Sequence, residues 1–281
     1  MAGRGEAVPL TPFQRALLAD LAAAPTDERY LAGGAALHFA PNSARYSEDL
    51  DFFHDSEARV ASAFAADRAR LEDGGYQVKV ELSLPGFVRA VVRRGADATR
   101  VDWAHDSAWR FMPLVRDPLG GLLLHPVDLA VNKALALAGR DEPRDFVDIL
   151  FVHRRILPLA ALCWAAAGKD PGFTPLSLLE LLKRRGRYHQ EDFARLNLTE
   201  PFDLTGAKEA WLAALGEAES FAHARPPDQV GCLYYATARD AFVLPNAEAS
   251  LEAQGIVPHF GAPYGVVPRI SEARVEGLGS S

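Results

Sequence analysis

Asp49-Leu50-Asp51-Phe52-Phe53 reads as a short apolar strand with two carboxylates on one face. Side chains two apart along a strand point the same way, so Asp49 and Asp51 project together while Leu50 and Phe52 turn into a core. Carboxylates held that close repel, and both stay ionised only with a cation between them. A hard divalent ion such as Mg²⁺ suits an all-oxygen site and keeps positions open for water and substrate phosphates. Upstream, Gly33-Gly34 permits close backbone approach and opens a short helix over 35–39, whose first amides suit phosphate oxygens. Ser47, just before the pair, adds a hydroxyl donor.

Outward from this strand the chain alternates elements. Thr11, Pro12 and the helical spacing of Phe13, Leu17, Leu18 and Leu21 predict a first helix, stopped by Pro25-Thr26-Asp27. Tyr30-Leu31-Ala32 leads into the glycines. An amphipathic helix is expected over 58–71, then strands over 76–82, 87–93 and 99–104, the last two joined by a turn at Gly95-Ala96-Asp97-Ala98. This order predicts an α+β fold, a small mixed sheet with flanking helices. From Pro126 the texture turns helical, over 126–138, 143–153, 157–167, 175–185 and 207–223, with 139–142 a loop and 231–242 more strand-like. The expected organisation is an α/β core over 1–125, a helical region over 126–244 completing the site, and a loosely structured tail over 245–281, rich in Pro, Gly, Ala and Ser.

Further polar groups stand in apolar surroundings. Asp102, in Arg100-Val101-Asp102-Trp103, costs energy inside a strand unless it reaches solvent, a partner or a metal. If its strand pairs near the first, Asp102 completes a three-carboxylate metal site. Lys133 interrupts an apolar helix and suits a triphosphate as a point charge. Asp145 and Asp148 lie three apart at the start of the next helix, on nearly one face, where one can serve as a base or orienting group. Each has a plainer explanation: a solvated strand face, a lysine covering apolar surface, an acidic helix start. Their joint order and context carry the argument.

Composition narrows the classes. A net charge of −7 over 281 residues disfavours a general polyanion binder without excluding a local basic groove. The two cysteines, Cys163 and Cys232, are far apart and form no redox or metal motif, which fits a reducing, cytoplasmic setting. Met1 to Glu6 lacks the apolar stretch of a signal peptide, and the longest apolar run falls short of the roughly 20 residues a membrane helix needs. No Walker loop, His-Glu-x-x-His, Cys-x-x-Cys or Gly-x-Ser-x-Gly occurs. Lys183-Arg184-Arg185-Gly186-Arg187-Tyr188-His189 is a basic cluster to weigh as a nucleic-acid grip against ordinary solvated helix-end cations.

Leu31-Ala32-Gly33-Gly34-Ala35-Ala36-Leu37 followed by Arg45-Tyr46-Ser47-Glu48-Asp49-Leu50-Asp51-Phe52-Phe53 resembles the first motif of the nucleotidyltransferase-like AbiEii/AbiGii toxin family. The run from Pro126 through Lys133 to Leu135, and Arg140-x-x-x-Arg144-Asp145-Phe146-Val147-Asp148-Ile149, resemble its later lysine and aspartate motifs. Arg144 stands where a lysine commonly precedes the aspartate. The resemblance, over about residues 30–155, implies a polymerase-β-like nucleotidyltransferase core followed by a helical C-terminal region. It further implies Mg²⁺-dependent transfer of a nucleotide from an NTP to an acceptor hydroxyl, on tRNA or protein, by the toxin of a toxin–antitoxin or phage-defence pair with a cognate antitoxin. Asp49 and Asp51 match the metal pair, Ser47 and Lys133 nucleotide-contacting positions, and Asp145 or Asp148 the late aspartate. The alternatives are a small-molecule (antibiotic-type) nucleotidyltransferase and an inactive nucleotide-binding protein of the same fold.

Overall fold

Thr11 caps the first helix as its sequence predicts. Its hydroxyl accepts from the Gln14 amide at 3.1 Å while the Gln14 side chain accepts from the Thr11 amide at 2.9 Å, a reciprocal cap that starts α1 (Pro12–Ala22). The structure, a computed structural model, describes residues 10–23, 29–39 and 43–268. Pro25-Thr26-Asp27, the Met1 to Glu6 segment and the end of the C-terminal tail lie outside the described residues.

After α1 come β1 (Arg29–Ala32), α2 (Gly33–Leu37), β2 (Asp49–His54), α3 (Glu57–Asp73), β3 (Gln77–Leu84), β4 (Phe87–Arg94) and β5 (Asp97–His105). Three short strands, β6 (Trp109–Arg110), β7 (Val115–Asp117) and β8 (Gly121–Leu123), precede the helices α4 (Pro126–Arg140), α5 (Pro143–Arg155), α6 (Leu159–Lys169), α7 (Pro175–Leu182) and α8 (Leu204–Ala224). The described chain ends with β9 (Cys232–Ala236), β10 (Ala241–Val243), β11 (Ile256–Phe260) and β12 (Ala262–Pro263). This is the predicted α+β architecture. No helix among the described residues is long and apolar enough to cross a membrane.

The main sheet has the order β3-β4-β5-β2-β1-β8-β7 and is mixed. β2 runs parallel to β5 and antiparallel to β1, so the acidic strand is central. Alternation along it works as the sequence demands. Leu50 and Phe52 are buried, and Phe52 stacks on the fully buried Trp103 at 6.3 Å between ring centroids. Phe64 of α3 meets the same indole edge-on at 5.0 Å. The Trp103 ring nitrogen donates to Asp67 of α3 at 2.8 Å, and Asp67 also pairs with Arg29, so the polar atoms on this buried side are satisfied. Asp49 and Asp51 therefore face the opposite side, over which α2 lies with α4 packed against it.

Three boundaries differ from expectation. α4 continues through Arg140, which was expected in a loop, and ends at Asp141 in the left-handed region (φ 48°). The two added residues bring Arg140 to Asp145, with bonds of 2.6 and 2.8 Å. α7 stops at Leu182, three residues early, where the amides of Arg184 and Arg185 bond to the carbonyls three residues back in tight turns that end at Gly186, with φ +80°. In the C-terminal stretch expected to be loose, β11 forms a strand on β9. β9 is buried at every position and sits between β10 and β11, so its amides and carbonyls need partners on both sides. Pro258 hid this strand in the sequence; it is tolerated because β11 is an edge.

Candidate active site

Asp49 and Asp51 open into a cavity of about 370 Å³, a size suited to a small-molecule or cofactor ligand. Gly33, Gly34, Asp102 and Lys133 line it too, so six of the nine predicted site residues share one space. The parallel register sets Asp51 directly beside Asp102 and Asp49 beside Arg100, bringing together residues some 50 positions apart in the chain.

The two strand carboxylates are in different electrostatic states. Asp49 is opposed by burial, but the Arg100 hydrogen bond at 2.7 Å and the charges of Arg144, Arg100 and Arg45 outweigh that, lowering its pKa. For Asp51, burial comes first and the neighbouring Asp49 charge second; together they push its pKa up to about 6. Asp102 is gripped at both oxygens by Arg89, at 2.8 and 2.6 Å.

The glycines make room. Gly33 has φ +63°, and a Cβ there would collide with the Asp51 carboxylate. A Cβ on Gly34 would stand 2.7 Å from an Arg45 nitrogen and 3.1 Å from the Ser47 hydroxyl oxygen. Their observed work is to let these side chains approach the backbone, since α2 is only five residues long. Ser47 does not line the cavity: its hydroxyl donates to the Asp49 carbonyl at 3.0 Å and so steadies the strand entry.

Asp145 and Asp148 lie beneath the cavity wall, fully buried. Asp148 accepts from Nε and Nη2 of Arg45 at 2.7 and 2.9 Å and from Nζ of Lys133 at 2.7 Å. It also receives Nε2 of His38 at 2.7 Å. Burial alone would raise the Asp148 pKa, but Lys133, Arg45 and His38 together hold it well below the usual carboxylate range. His38 has its pKa lowered by burial; as a neutral ring it donates from Nε2 while Nδ1 accepts the Ser43 hydroxyl. Asp145 holds Arg140 by two bonds and lies 3.8 Å from the Lys133 ammonium. The two late aspartates thus fix the cations Lys133, Arg45 and Arg140 at the cavity wall.

Several lining groups were not singled out from the sequence. Arg45 was legible, because Arg45, Ser47, Asp49 and Asp51 recur at the strand period of two. Arg89 and Arg100 gave no local signal and are recruited by strand register. Lys169 comes from the end of α6 and pairs with Asp106 at 3.2 Å on the same cavity.

A divalent cation fits the Asp49–Asp51 pair: two hard oxygen donors lie side by side, one of them destabilised by its neighbour's charge. Asp102 is committed to Arg89, and among the described residues no three acidic, histidine or cysteine side chains stand arranged as a ready metal site. The surrounding cations, Arg45, Lys133, Arg140 and Arg144, suit a phosphate-rich ligand.

A family model described as "Nucleotidyl transferase AbiEii toxin, Type IV TA system" matches residues 15–230. No curated protein matches the chain. Among solved structures, JHP933 from Helicobacter pylori is similar at 18% identity and a TM-score of 0.49, over 75% of this chain and 92% of that one. MenT4, a nucleotidyltransferase toxin from Mycobacterium tuberculosis, is similar at 18% identity and a TM-score of 0.47, over 77% and 83% of the respective chains.

Proposed function

The chain belongs to the AbiEii nucleotidyl transferase toxin family, and on that footing we propose that it moves a nucleotide from an NTP to an acceptor hydroxyl, using Mg²⁺ held by Asp49 and Asp51. The observation that carries this reading is the single cavity in which that carboxylate pair faces Lys133, Arg45, Arg140 and Arg144. When bound, the cation offsets the pair's repulsion and draws charge from the triphosphate. Lys133 and the arginines bind and orient the phosphates, with Asp145 and Asp148 keeping Lys133, Arg45 and Arg140 from swinging away. The acceptor oxygen attacks the α-phosphorus in line, the bond to pyrophosphate breaks, and pyrophosphate leaves. The acceptor proton passes to a carboxylate, for which Asp102 is the proposed base; its service as a third metal ligand requires Arg89 to release it. A cognate antitoxin is the expected partner of a toxin in this family, and tRNA or protein is the proposed acceptor class.

Two rivals differ in testable ways. A small-molecule acceptor of antibiotic type calls for a closed acidic pocket, whereas here cations outnumber carboxylates along the lining. An inactive nucleotide binder would have no need of both strand carboxylates beside Lys133. The test is label transfer from each radioactive NTP to total RNA and protein, comparing the wild type with Asp49→Ala and Lys133→Ala. Mg²⁺-dependent transfer lost in Asp49→Ala supports the reading; undiminished transfer in that variant refutes it.

A further inference from the structure

We infer that the open face of β3, β4 and β5, continuous with Asp49 and Asp51, is the track on which a single-stranded polynucleotide acceptor lies. The inference rests on the transferase reading for what happens at the end of the track, and its binding test does not.

Register fixes what this face carries. Lys79, Val91 and Arg100 form one cross-strand row that ends at Asp49. Arg93 stands in the next row outward, between Gln77 and Ala98. Arg89 shares the row of Asp102 and Asp51. Lys79 and Arg93 are exposed, and Arg89 and Arg100 are about one-third exposed at their side chains. α3 covers the other side of these strands, where Val88, Ala90, Val92, Val101 and Trp103 are buried.

A bulge makes the face apolar as well as basic. Between Val80 and Leu82 the β3–β4 register slips by one, so that Leu82 pairs with Arg89 and Leu84 with Phe87. Without the slip, Leu82 would oppose Val88 and point to the α3 side. The bulge instead leaves Leu82 41% and Leu84 55% exposed on the carboxylate side, next to Phe87, over whose ring Arg89 lies at 5.3 Å. Exposed apolar side chains beside spaced cations match a strand whose phosphates seek charge and whose unstacked bases seek an apolar floor. Duplex backbone alone needs no such floor. Lys79 stands three strands from Asp49, about 14 Å at the usual interstrand spacing, which leads a bound strand toward the carboxylates.

In the rival basic cluster, two of the four Lys and Arg side chains, Lys183 and Arg185, are tied up internally. Lys183 bonds Glu180 and Glu219 at 2.7 and 2.8 Å, and Arg185 pairs with Asp141 at 3.3 Å. A protein acceptor would not require the rows of cations on the open face.

The test is fluorescence anisotropy of a short labelled mixed-sequence RNA with the full chain, in EDTA and without NTP, across a salt series. Wild type should bind with a marked salt dependence. Lys79→Gln/Arg93→Gln should weaken binding about tenfold and flatten the log–log salt slope by about 1.4, because two phosphates are no longer neutralised and each accounts for about 0.7. Arg184→Gln should leave both unchanged, and all variants should bind a fluorescent NTP analogue with Mg²⁺ as the wild type does. Leu82→Ser/Leu84→Ser should weaken RNA binding without changing the slope. Absence of RNA binding by the wild type, an unchanged Lys79→Gln/Arg93→Gln variant, or a loss caused by Arg184→Gln instead would overturn the inference, whatever the fate of NTP transfer.

Discussion

Replacing Asp51 with asparagine should stabilise the metal-free protein at neutral pH, although it removes a proposed metal ligand. The Asp51 carboxyl titrates at about 6 in the fold against 3.8 for the ordinary group, because burial and the Asp49 charge disfavour its ionised form. A folded pKa above the unfolded one means that ionisation costs stability. Below pH 3.8 the group is protonated in both states and contributes nothing; above about pH 6 it is ionised in both, at a cost of about 3 kcal/mol. Asparagine keeps the shape and omits the charge. For 281 residues, unfolding entropy of about 0.6 kcal/mol/K converts that to a rise of about 5 °C in Tm at pH 8 in EDTA, shrinking through pH 6 to 4. Added Mg²⁺ should narrow the variant's lead: at tenfold excess over its Kd it stabilises the wild type by about 1.4 kcal/mol and the variant by much less. Asp49→Asn should have the opposite sign in EDTA. The lowered Asp49 pKa stabilises above the usual carboxylate range and is lost as pH falls, so that variant melts lower at pH 8 and converges on wild type in acid. Thermal melts by circular dichroism at pH 4, 6 and 8 decide it. An Asp51→Asn protein no more stable than wild type at pH 8 in EDTA refutes the electrostatic argument.

Three further outcomes follow from the geometry. Asp148→Ala strands Lys133 and Arg45 as buried cations and should cost about 3–5 kcal/mol in chemical denaturation, a loss under 1 kcal/mol contradicting its anchoring role. Gly33→Ala combines a left-handed backbone with a Cβ set against Asp51, so transfer should fall about 100-fold for a modest drop in Tm; near-normal turnover would show that the carboxylate position is not critical. Arg89→Ala frees both oxygens of Asp102, and Mg²⁺ titration by calorimetry should then show tighter binding if Asp102 is a third ligand, an unchanged Kd removing it from that role.

Most of the site was legible because its chemistry is carried by local pattern. The period-two spacing of Asp49 and Asp51, the glycine doublet, and a lysine inside an apolar helix are each visible within a few residues. Asp145 and Asp148 were legible as residues but ambiguous in role. Three residues apart on one helix, they could have faced either the ligand or the interior. Contact with His38 and Arg45, more than 100 positions away, turns Asp148 inward as an anchor, and Asp145 turns in to Arg140 and Lys133. The β11 strand was hidden because it exists to complete β9, a demand that its own residues do not express.

By itself, then, the sequence determined which strand is acidic, which side of it is apolar, and which helices carry the lysine and the late aspartates, since those depend on periodicity and neighbours. Only the tertiary structure decided what each charge meets: Arg100 on Asp49, Arg89 on Asp102, and the bulge that turns Leu82 and Leu84 outward. The physical reason is range. Alternation is written in adjacent residues, whereas ion pairing and strand register depend on which distant segments pack together.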